Sequence, residues 1–291
     1  MDEALAAWLA LRERVDAESR SATLTRAVSD ALAHRDPVRV LDLATGAGSN
    51  LRFLMPHLPV NQHWAVVDRS ATLLSELSER TGAWARARGC EVVRSGGEFV
   101  VTGPSLRCRV SAYQRNLHTL DEAALFEGRH LVTGSALLDL VSDLWLRVLA
   151  ARCREAGAAA LFTITYNGHS SCAPVDRDDE MVLGLFNRHQ RTDKGLGGVA
   201  AGPDATACAV RAFEGAGYRV RTESSDWQLG PSEREMQRQL IDGWAMAAGE
   251  VDTSAAARIG EWRTRRLGHV DSGHSHIVVG HHDVAAWPTE A

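Results

Sequence analysis

Hydrophobic positions along the chain follow two alternating patterns. Short apolar runs, such as VRVLDL at 38–43 and HWAVVD at 63–68, are typical of strands buried on both faces. Stretches at 70–88 and 140–157 repeat their apolar residues every three or four positions, which predicts amphipathic helices. The alternation predicts an α/β fold, in which a mostly parallel, doubly wound sheet of seven core strands carries helices on both faces. We expect strands at 38–43, 63–68, 130–134, 159–166, 218–224 and 275–282, and a hairpin plus the third core strand within 90–112.

Residues at the ends of two predicted helices indicate where those helices begin and end. Ser70 precedes an apolar repeat and is a plausible N-cap, and Gly157 follows one, where glycine commonly closes a helix. Residues 1–35 show helical spacing that stops at Asp36-Pro37, because the residue before a proline avoids the helical region. We therefore expect an N-terminal helical cap at 1–35.

The remainder of the chain, residues 36–291, is predicted to form the main domain. Two segments interrupt its strand and helix alternation, at about 167–203 and 231–267. The first is polar around a short helix at 181–190, and the second contains two helices. No internal repeat or linker is visible, so these segments are interpreted as insertions that decorate one domain.

Composition narrows the class of protein. The chain has 291 residues, 45% of them hydrophobic and 24% charged, which is ordinary for a globular protein. With 32 basic against 37 acidic side chains it lacks the basic surface that nucleic-acid binding needs. No apolar run is long enough to span a bilayer, and the acidic N-terminus is unlike a signal peptide. We expect a cytoplasmic protein, a monomer or homodimer, that binds neither nucleic acid nor membranes.

Cysteine, lysine and histidine usage adds three observations. The five cysteines are scattered without a CxxC pair, which argues against a disulfide framework or a structural zinc site. All basic residues are arginines except one lysine, Lys194. Five histidines lie near the C-terminus, but the acidic residues around them form only a loose set, so we interpret them as incidental and predict no metal. They are His269, His274, His276, His281 and His282.

The most informative segment is LDLATGAGSN at 41–50, a glycine-rich turn that leaves a buried strand. Such a turn lets the backbone approach a ligand above the carboxyl ends of the strands. A dinucleotide site needs G-x-G-x-x-G, and Leu51 stands where the third glycine belongs, which counts against a nicotinamide-dependent oxidoreductase. Instead Asp42, Gly46, Gly48 and Asp68 resemble class I S-adenosylmethionine-dependent methyltransferases.

The resemblance covers about residues 36–283, with seven strands in the family's order, and implies S-adenosylmethionine (SAM) as cofactor. It implies that Asp42 holds the methionine moiety directly or through water, that Asp68 binds the ribose hydroxyls, and that Asn116 receives the adenine amino group. One departure is Ala44 at the first glycine of D-x-G-x-G-x-G, for which we expect a negative φ. The implied cofactor-binding residues are Asp42, Ala44, Thr45, Gly46, Gly48, Asn50, Asp68, Arg69, Asn116, Leu117, Thr133 and Ser135.

The acceptor side depends on the insertions, which in this family cover the acceptor site together with N-terminal helices. The segment FNRHQRTDKGLGG at 186–198 combines polar residues, the single lysine and flexible glycines; a solvated loop is the alternative interpretation. As a lid, it could use His189 to take a proton and Lys194 to pair with an anionic or carbonyl group. The catalytic candidates are His189, Lys194 and Tyr166, and the substrate-binding candidates are Asn167, His169, Asn187, Gln190, Asp193 and Trp227.

The sequence therefore predicts SAM-dependent methyl transfer to an oxygen, nitrogen or carbon atom of a small metabolite, in secondary metabolism. The [N/D/S]-P-P-[Y/F] motif of exocyclic-amine methyltransferases is replaced by TGSA at 133–136. Two alternatives stay open: a SAM-binding protein that transfers no methyl group, and, less favoured, the nicotinamide-dependent oxidoreductase.

Overall fold

The computed structural model describes residues 2–289, in which helices and strands alternate. Two helices come first, α1 (Asp2–Ser19) and α2 (Ala22–Leu32), followed by β1 (Val38–Leu43). The elements that follow are α3 (Ser49–Leu54), β2 (Asn61–Asp68), α4 (Ala71–Arg86), β3 (Glu91–Ser95), β4 (Glu98–Gly103), β5 (Leu106–Gln114), β6 (Leu131–Ser135), α5 (Asp143–Ala156), β7 (Ala159–Ala173), α6 (Asp179–Gln190), α7 (Ala205–Gly215), β8 (Tyr218–Ser224), β9 (Trp227–Leu229), α8 (Arg234–Val251), α9 (Ala256–Asp271) and β10 (His276–Pro288).

The strands form one sheet in the order β3-β4-β5-β2-β1-β6-β7-β10-β8, and β9 pairs with β10. From β5 to β7 the neighbours are parallel, whereas β10 runs antiparallel between β7 and β8. This confirms the predicted mostly parallel, doubly wound fold. Across residues 2–289 the sheet has ten strands rather than seven, because the β3-β4 hairpin extends one edge and the unpredicted β9 adds to β10.

Both faces of the central strands are buried, which explains their continuous apolar runs. In β1, Leu41 and Leu43 face the layer that contains α5 and α7, whereas Val38 and Val40 face α2, α3 and α4. Successive side chains of a strand point to opposite faces, so one short segment contributes to two cores. The carboxyl ends of β1, β2 and β6 are thereby fixed at one edge of the sheet.

The paired strands β7 and β10 extend beyond the rest of the sheet. Their register runs from Ala160 opposite Ala286 to Ala173 opposite His276. The sequence predicted that β7 ends at 166, since residues 167–173 lack an apolar pattern, but β10 supplies the hydrogen-bond partners that continue the strand. Helices α6, α8 and α9 pack beside this extension around the buried Trp244 and Trp262.

Two ends of helices behave as predicted. The Ser70 hydroxyl accepts a hydrogen bond from Leu73 N at 3.1 Å and caps α4, and Gly157 closes α5 with a φ of 63°.

Ion pairs connect α9 to the start of α6. Arg265 of α9 pairs with Asp176 at 2.6 Å and holds the pKa of that carboxyl down at about 2. The buried Arg266 pairs with Asp179, so α9 fixes the position of α6. Of the helices described, none is long and apolar enough to cross a membrane.

Candidate functional site

The turn after β1 has a strained, left-handed backbone. Gly46 has a φ of 53° and Gly48 a φ of 83°, values that glycine adopts at low cost. A Cβ atom on Gly48 would lie only 2.6 Å from Cγ of Leu77, so α4 packs directly against this turn. Glycine is therefore required at position 48 for both its conformation and its size.

Ala44 departs from the conformation expected of it. Its φ is 51°, in the left-handed region, where we expected a negative value. A left-handed conformation costs a residue with a Cβ roughly 1–2 kcal/mol, which glycine would avoid. The strain is retained because the backbone around it is fixed: Thr45 N donates to the carbonyl oxygen of Val67 at 2.9 Å, which ties the turn to β2.

Asp68, at the end of β2, connects this turn to the start of α4. Its Oδ2 accepts a hydrogen bond from Gly46 N at 2.8 Å, and its Oδ1 accepts one from Ser70 N at 2.9 Å. Each carboxylate oxygen can accept a further hydrogen bond. The Ser70 hydroxyl donates to Asp2 of α1 at 2.6 Å, so a second carboxylate lies beside the same turn.

Asp42 lies beneath the turn and is fully buried. Its Oδ2 accepts a hydrogen bond from the Thr45 hydroxyl at 2.6 Å, and its Oδ1 accepts one from Asn50 Nδ2 at 2.7 Å. Burial raises the pKa of Asp42 to about 6, although these hydrogen bonds and the charge of Arg20 oppose the shift. Asn50 Nδ2 also donates to Thr133 Oγ1 at 3.1 Å, which joins the ends of β1 and β6.

A cavity of about 380 Å³ opens above the carboxyl ends of β1, β2 and β6. Most of the predicted cofactor residues line it, whereas Asp42, Gly48 and Thr133 lie behind its wall. The predicted residues in the wall are Ala44, Thr45, Gly46, Asn50, Asp68, Arg69, Asn116, Leu117 and Ser135.

Asn116 and Leu117 are fixed by hydrogen bonds behind the cavity. Asn116 Oδ1 accepts a hydrogen bond from His118 N at 2.9 Å, and the Leu117 carbonyl oxygen accepts one from Trp145 Nε1 at 2.8 Å. The wall at the end of β5 therefore combines an oriented amide with an apolar side chain, which suits the edge and the face of a flat heterocycle.

Helix α1 forms the opposite wall, and no site residue was predicted in this helix from the sequence. Trp8, Arg12 and Asp16 follow one another at four-residue spacing, so they share one face of the helix. The sequence signal that could have identified this face is the pair Arg12 and Asp16, which continues the apolar side of the helix around Trp8. The residues of α1 that line the cavity are Asp2, Leu5, Trp8, Leu9, Arg12 and Asp16.

Lys194 lines the cavity, and His189 lies directly behind it. Lys194 Nζ donates to the His189 carbonyl oxygen at 3.0 Å and lies 3.3 Å from His189 Nδ1. His189 Nε2 is 3.0 Å from Oε2 of Glu250, at the end of α8. Burial lowers the pKa of Lys194. Two catalytic candidates are thus in contact. Glu250, which was not predicted from the sequence, extends this contact to a row of three polar side chains.

The third catalytic candidate, Tyr166, is bound to other residues away from the cavity wall. Its hydroxyl donates to Asn187 Oδ1 at 2.7 Å, and Asn187 Nδ2 donates to the Gly168 carbonyl oxygen at 2.8 Å. Asn167 Oδ1 accepts a hydrogen bond from His169 N at 3.0 Å and forms a local turn. These side chains join α6 to β7, and burial raises the pKa of Tyr166 to about 12.

Three substrate-binding candidates remain. Gln190 ends α6, and Asp193 Oδ1 accepts a hydrogen bond from Gly195 N at 2.7 Å, which shapes the loop before the Lys194 contact. Trp227 is buried, and its Nε1 donates to Asp16 Oδ1 at 3.0 Å, so it supports α1 from behind. Of the six substrate-binding candidates, all within residues 2–289, none lines the cavity.

The C-terminal histidines occupy separate environments. His281 is buried between Trp227 and Tyr166, with ring centroids 4.6 and 6.1 Å away, and burial lowers its pKa to about 3. His274 and His276 are exposed. Within residues 2–289 there is no group of three or more histidine, cysteine, aspartate or glutamate side chains that could hold a metal ion.

No protein-family model matches the sequence, and no curated protein matches it either. Among solved structures, the chain is similar to the YcgJ protein from Bacillus subtilis, at 14% identity and a TM-score of 0.48, over 91% of this chain and 99% of that chain. It is also similar to a putative methyltransferase from Bacillus halodurans, at 12% identity and a TM-score of 0.49, over 92% and 100% of the two chains.

A third similar structure is a geranyl diphosphate methyltransferase in complex with SAM, at 13% identity and a TM-score of 0.41, over 92% of this chain and 85% of that chain. At these identities and TM-scores, the fold assignment rests on the strand order and register of this chain itself.

Proposed function

We propose that this chain is a SAM-dependent methyltransferase that acts on a small-molecule acceptor. One observation carries the proposal: the cavity lies at the carboxyl ends of β1, β2 and β6, and both the left-handed turn at Gly46 and the Asp68 carboxylate line it. In doubly wound sheets, ligands bind in this crevice at the carboxyl ends of the strands. A volume of about 380 Å³ is within the range of small-molecule sites.

The residues around the cavity fit SAM part by part. The free lone pairs of Asp68 suit the ribose hydroxyls, and Asn116 with Leu117 suits the adenine ring. Thr45, Asn50 and Ser135 form a polar wall for the methionine moiety. Asp42 acts through Thr45 and Asn50, since both of its oxygens already accept hydrogen bonds from them. These assignments follow from donor and acceptor chemistry at each position.

When bound, SAM supplies a methyl group already activated by its sulfonium. The chain then has to align the acceptor, exclude water and accept any proton that leaves the acceptor atom. Helix α1 covers the cavity and excludes water. Lys194 lines the cavity and pairs with an anionic or carbonyl group of the acceptor, and His189, whose Nδ1 lies 3.3 Å from Lys194 Nζ, is the candidate that takes the proton. Glu250 orients the His189 ring.

The acceptor is proposed to be a small metabolite of secondary metabolism rather than a polymer. The support is the wall of α1, with Leu5, Trp8 and Leu9, which closes the cavity on the side away from the sheet. A monomeric or homodimeric protein of the cytoplasm remains part of the proposal.

Calorimetric titration tests the cofactor. We expect SAM and S-adenosylhomocysteine (SAH) to bind with micromolar affinity and NAD or NADP to give no heat of binding. Binding of NAD without any heat of binding from SAM or SAH would refute the proposal.

A second experiment tests the reaction. The protein is incubated with SAM and a metabolite extract, and mass spectrometry follows SAH together with any product heavier by one CH2 unit. Both should accumulate. SAM binding without either product would favour the alternative of a SAM-binding protein that transfers no methyl group.

A further inference from the structure

The cavity has two chemically different ends, and α1 spans the distance between them. At its start, Asp2 accepts a hydrogen bond from Ser70, next to Asp68. Three turns later, Arg12 lies over the ring of Trp227, which belongs to β9 beside β10, with its guanidinium carbon 5.0 Å from the ring centroid. Arg12 therefore lies on the β7–β10 side of the cavity, far from the proposed ribose contact.

Arg12 is held in a fixed orientation by one half of its guanidinium. Its Nε donates to Asp16 Oδ2 at 2.8 Å, and Asp16 Oδ1 accepts a hydrogen bond from Trp227 Nε1 at 3.0 Å. Both oxygens of Asp16 are thus engaged. The Arg12 and Asp16 side chains are buried, and Trp8 packs against Trp227 at a centroid distance of 6.2 Å.

In the described part of the chain, the other half of the Arg12 guanidinium has no partner. Within residues 2–289 neither terminal amino group donates to an acceptor, although the side chain lines the cavity. Lys194 lies in the same cavity wall, and two of its hydrogen-bonding contacts are used by His189. Within residues 2–289, this end of the cavity therefore presents a guanidinium edge without a protein acceptor, and hydrogen bonds from a charged donor are stronger than those from a neutral one.

We infer that the β7–β10 end of the cavity binds a carboxylate group of the acceptor molecule, paired side-on with the two terminal amino groups of Arg12. The inference rests on the proposed function, because it concerns the second substrate of the same site. A guanidinium fork matches a carboxylate in a bidentate geometry, and a half-anchored guanidinium loses little freedom when it binds.

Neighbouring residues favour a carboxylate over other groups. An ammonium group is disfavoured between Arg12 and Lys194. A phosphate dianion is disfavoured because the buried Asp139 carboxyl, whose Oδ1 has no hydrogen-bond partner in the described chain, is close enough to interact electrostatically with both cations. Trp8, Leu137 and Leu140 line the same cavity as Arg12, so the remainder of the acceptor is expected to be apolar.

The carboxylate of the cofactor is the other possible source of the same chemistry. The polar wall proposed for the methionine moiety is Thr45, Asn50 and Ser135, backed by Arg20, whose Nη2 donates to Ser135 Oγ at 3.0 Å. The positive charge of Arg20 lies directly behind that wall, which leaves Arg12 to the acceptor.

The test measures binding by saturation-transfer NMR on the full chain saturated with SAH. The probes are benzoate, phenylacetate and octanoate, each compared with its primary amide. We expect at least one acid to bind about tenfold more tightly than its amide, which corresponds to one charge-assisted pair. Arg12→Met should abolish this preference and leave SAH affinity within about twofold, whereas Arg12→Lys should keep a part of it.

Arg14→Met is the matched control, since Arg14 lies two residues away on the exposed face of α1 and pairs with Glu18. It should keep the full preference. The inference is overturned if no acid is preferred by the wild-type chain, or if Arg12→Met weakens SAH binding in parallel, which would assign Arg12 to the cofactor. Failure of the wild-type chain to bind SAH would instead refute the proposed function. If Arg12→Met does not fold, the preference for the acid over its amide is compared between the wild type and Arg12→Lys, and an undiminished preference in Arg12→Lys overturns the inference.

Discussion

The two ends of the cavity are built in different ways. At the Asp68 end, each polar side chain directly follows a strand or lies in the turn after it, and its hydrogen-bonding capacity is largely used within the protein. At the Arg12 end, the wall combines α1 and the loop after α6, and Trp227 of the short strand β9 supports α1 from behind; these segments lie far apart along the chain. Within residues 2–289, the terminal amino groups of Arg12 and Oδ1 of Asp139 have no hydrogen-bond partner there.

This difference separates a rigid half from an adaptable one. Asp42, Thr45 and Asn50 form a closed network that needs no ligand for its stability. The terminal amino groups of Arg12 have no protein acceptor within residues 2–289, and Lys194 lines the same cavity. We expect substitutions at the first end to change cofactor affinity, and substitutions at the second end to change turnover or the chemistry of the acceptor.

The largest expected effect concerns Asp68. Asp68→Ala should lower SAH affinity by about 100-fold, because two hydrogen bonds to a charged acceptor are lost. Calorimetry measures the affinity, and the melting temperature checks the fold. Asp68→Asn, which keeps the shape, should give an intermediate loss. An unchanged affinity of the alanine variant would show that the ribose contact is misplaced.

The second prediction uses His281, buried at the Arg12 end. Burial holds its folded-state pKa at about 3, against 6.5 when unfolded, so the neutral ring is favoured in the fold. As the pH falls below 6.5, only the unfolded chain takes up this proton, and stability is lost progressively until about pH 3. The loss is about 1.4 kcal/mol per pH unit for one proton.

Replacement of His281 by Phe should therefore reduce the loss of unfolding free energy between pH 7 and pH 5 by about 2 kcal/mol, as measured by urea denaturation. The raised pKa values of Asp42 and Asp139 increase stability as the pH falls, but this effect is the same in the wild type and in His281→Phe. His276→Phe, on the exposed side of β10, should leave the pH dependence as in the wild type. If the unfolding free energy of His281→Phe depends on pH as in the wild type, then His281 takes up its proton at the same pH in the folded and unfolded states, which would contradict the lowered pKa.

The third prediction separates turnover from cofactor affinity. Lys194→Arg should lower turnover by about tenfold, since the larger planar guanidinium cannot replace the compact ammonium against the acceptor, and leave SAH affinity within about twofold. SAH release with an acceptor found in the extract measures turnover. Arg191→Lys, in the same loop but paired with Asp204, is the control that should retain activity. Full activity of Lys194→Arg would return Lys194 to a structural role.

The smallest effect is expected at Ala44. Ala44→Gly relieves the left-handed strain, but it also increases the freedom of the unfolded chain, so the net gain should be below about 1 kcal/mol. Ala47→Gly is the control within the same turn, and it should destabilise the protein because Ala47 is outside the left-handed region. Thermal denaturation distinguishes the two. A loss of stability in Ala44→Gly equal to that in Ala47→Gly would argue against strain.

Hydrophobic pattern was sufficient for the sheet. The strand at 218–224 and the cap at Ser70 were predicted at their observed positions, since both depend on local sequence. The continuation of β7 to Ala173 was not predicted, because its residues are polar and only pairing with β10 makes them a strand. The three-residue β9 is too short to leave a pattern.

The sequence by itself determined the order of strands and helices, the glycine turn after β1 and the acidic residue that follows β2. These are local: each depends on residues within one strand and the next turn. Only the tertiary structure decided which residues of α1 line the cavity, that Lys194 enters it while His189 stays behind, and that Tyr166 binds Asn187 instead. The physical reason is that contacts between distant segments depend on packing and on which buried groups find partners, and neither leaves a periodic trace in the sequence.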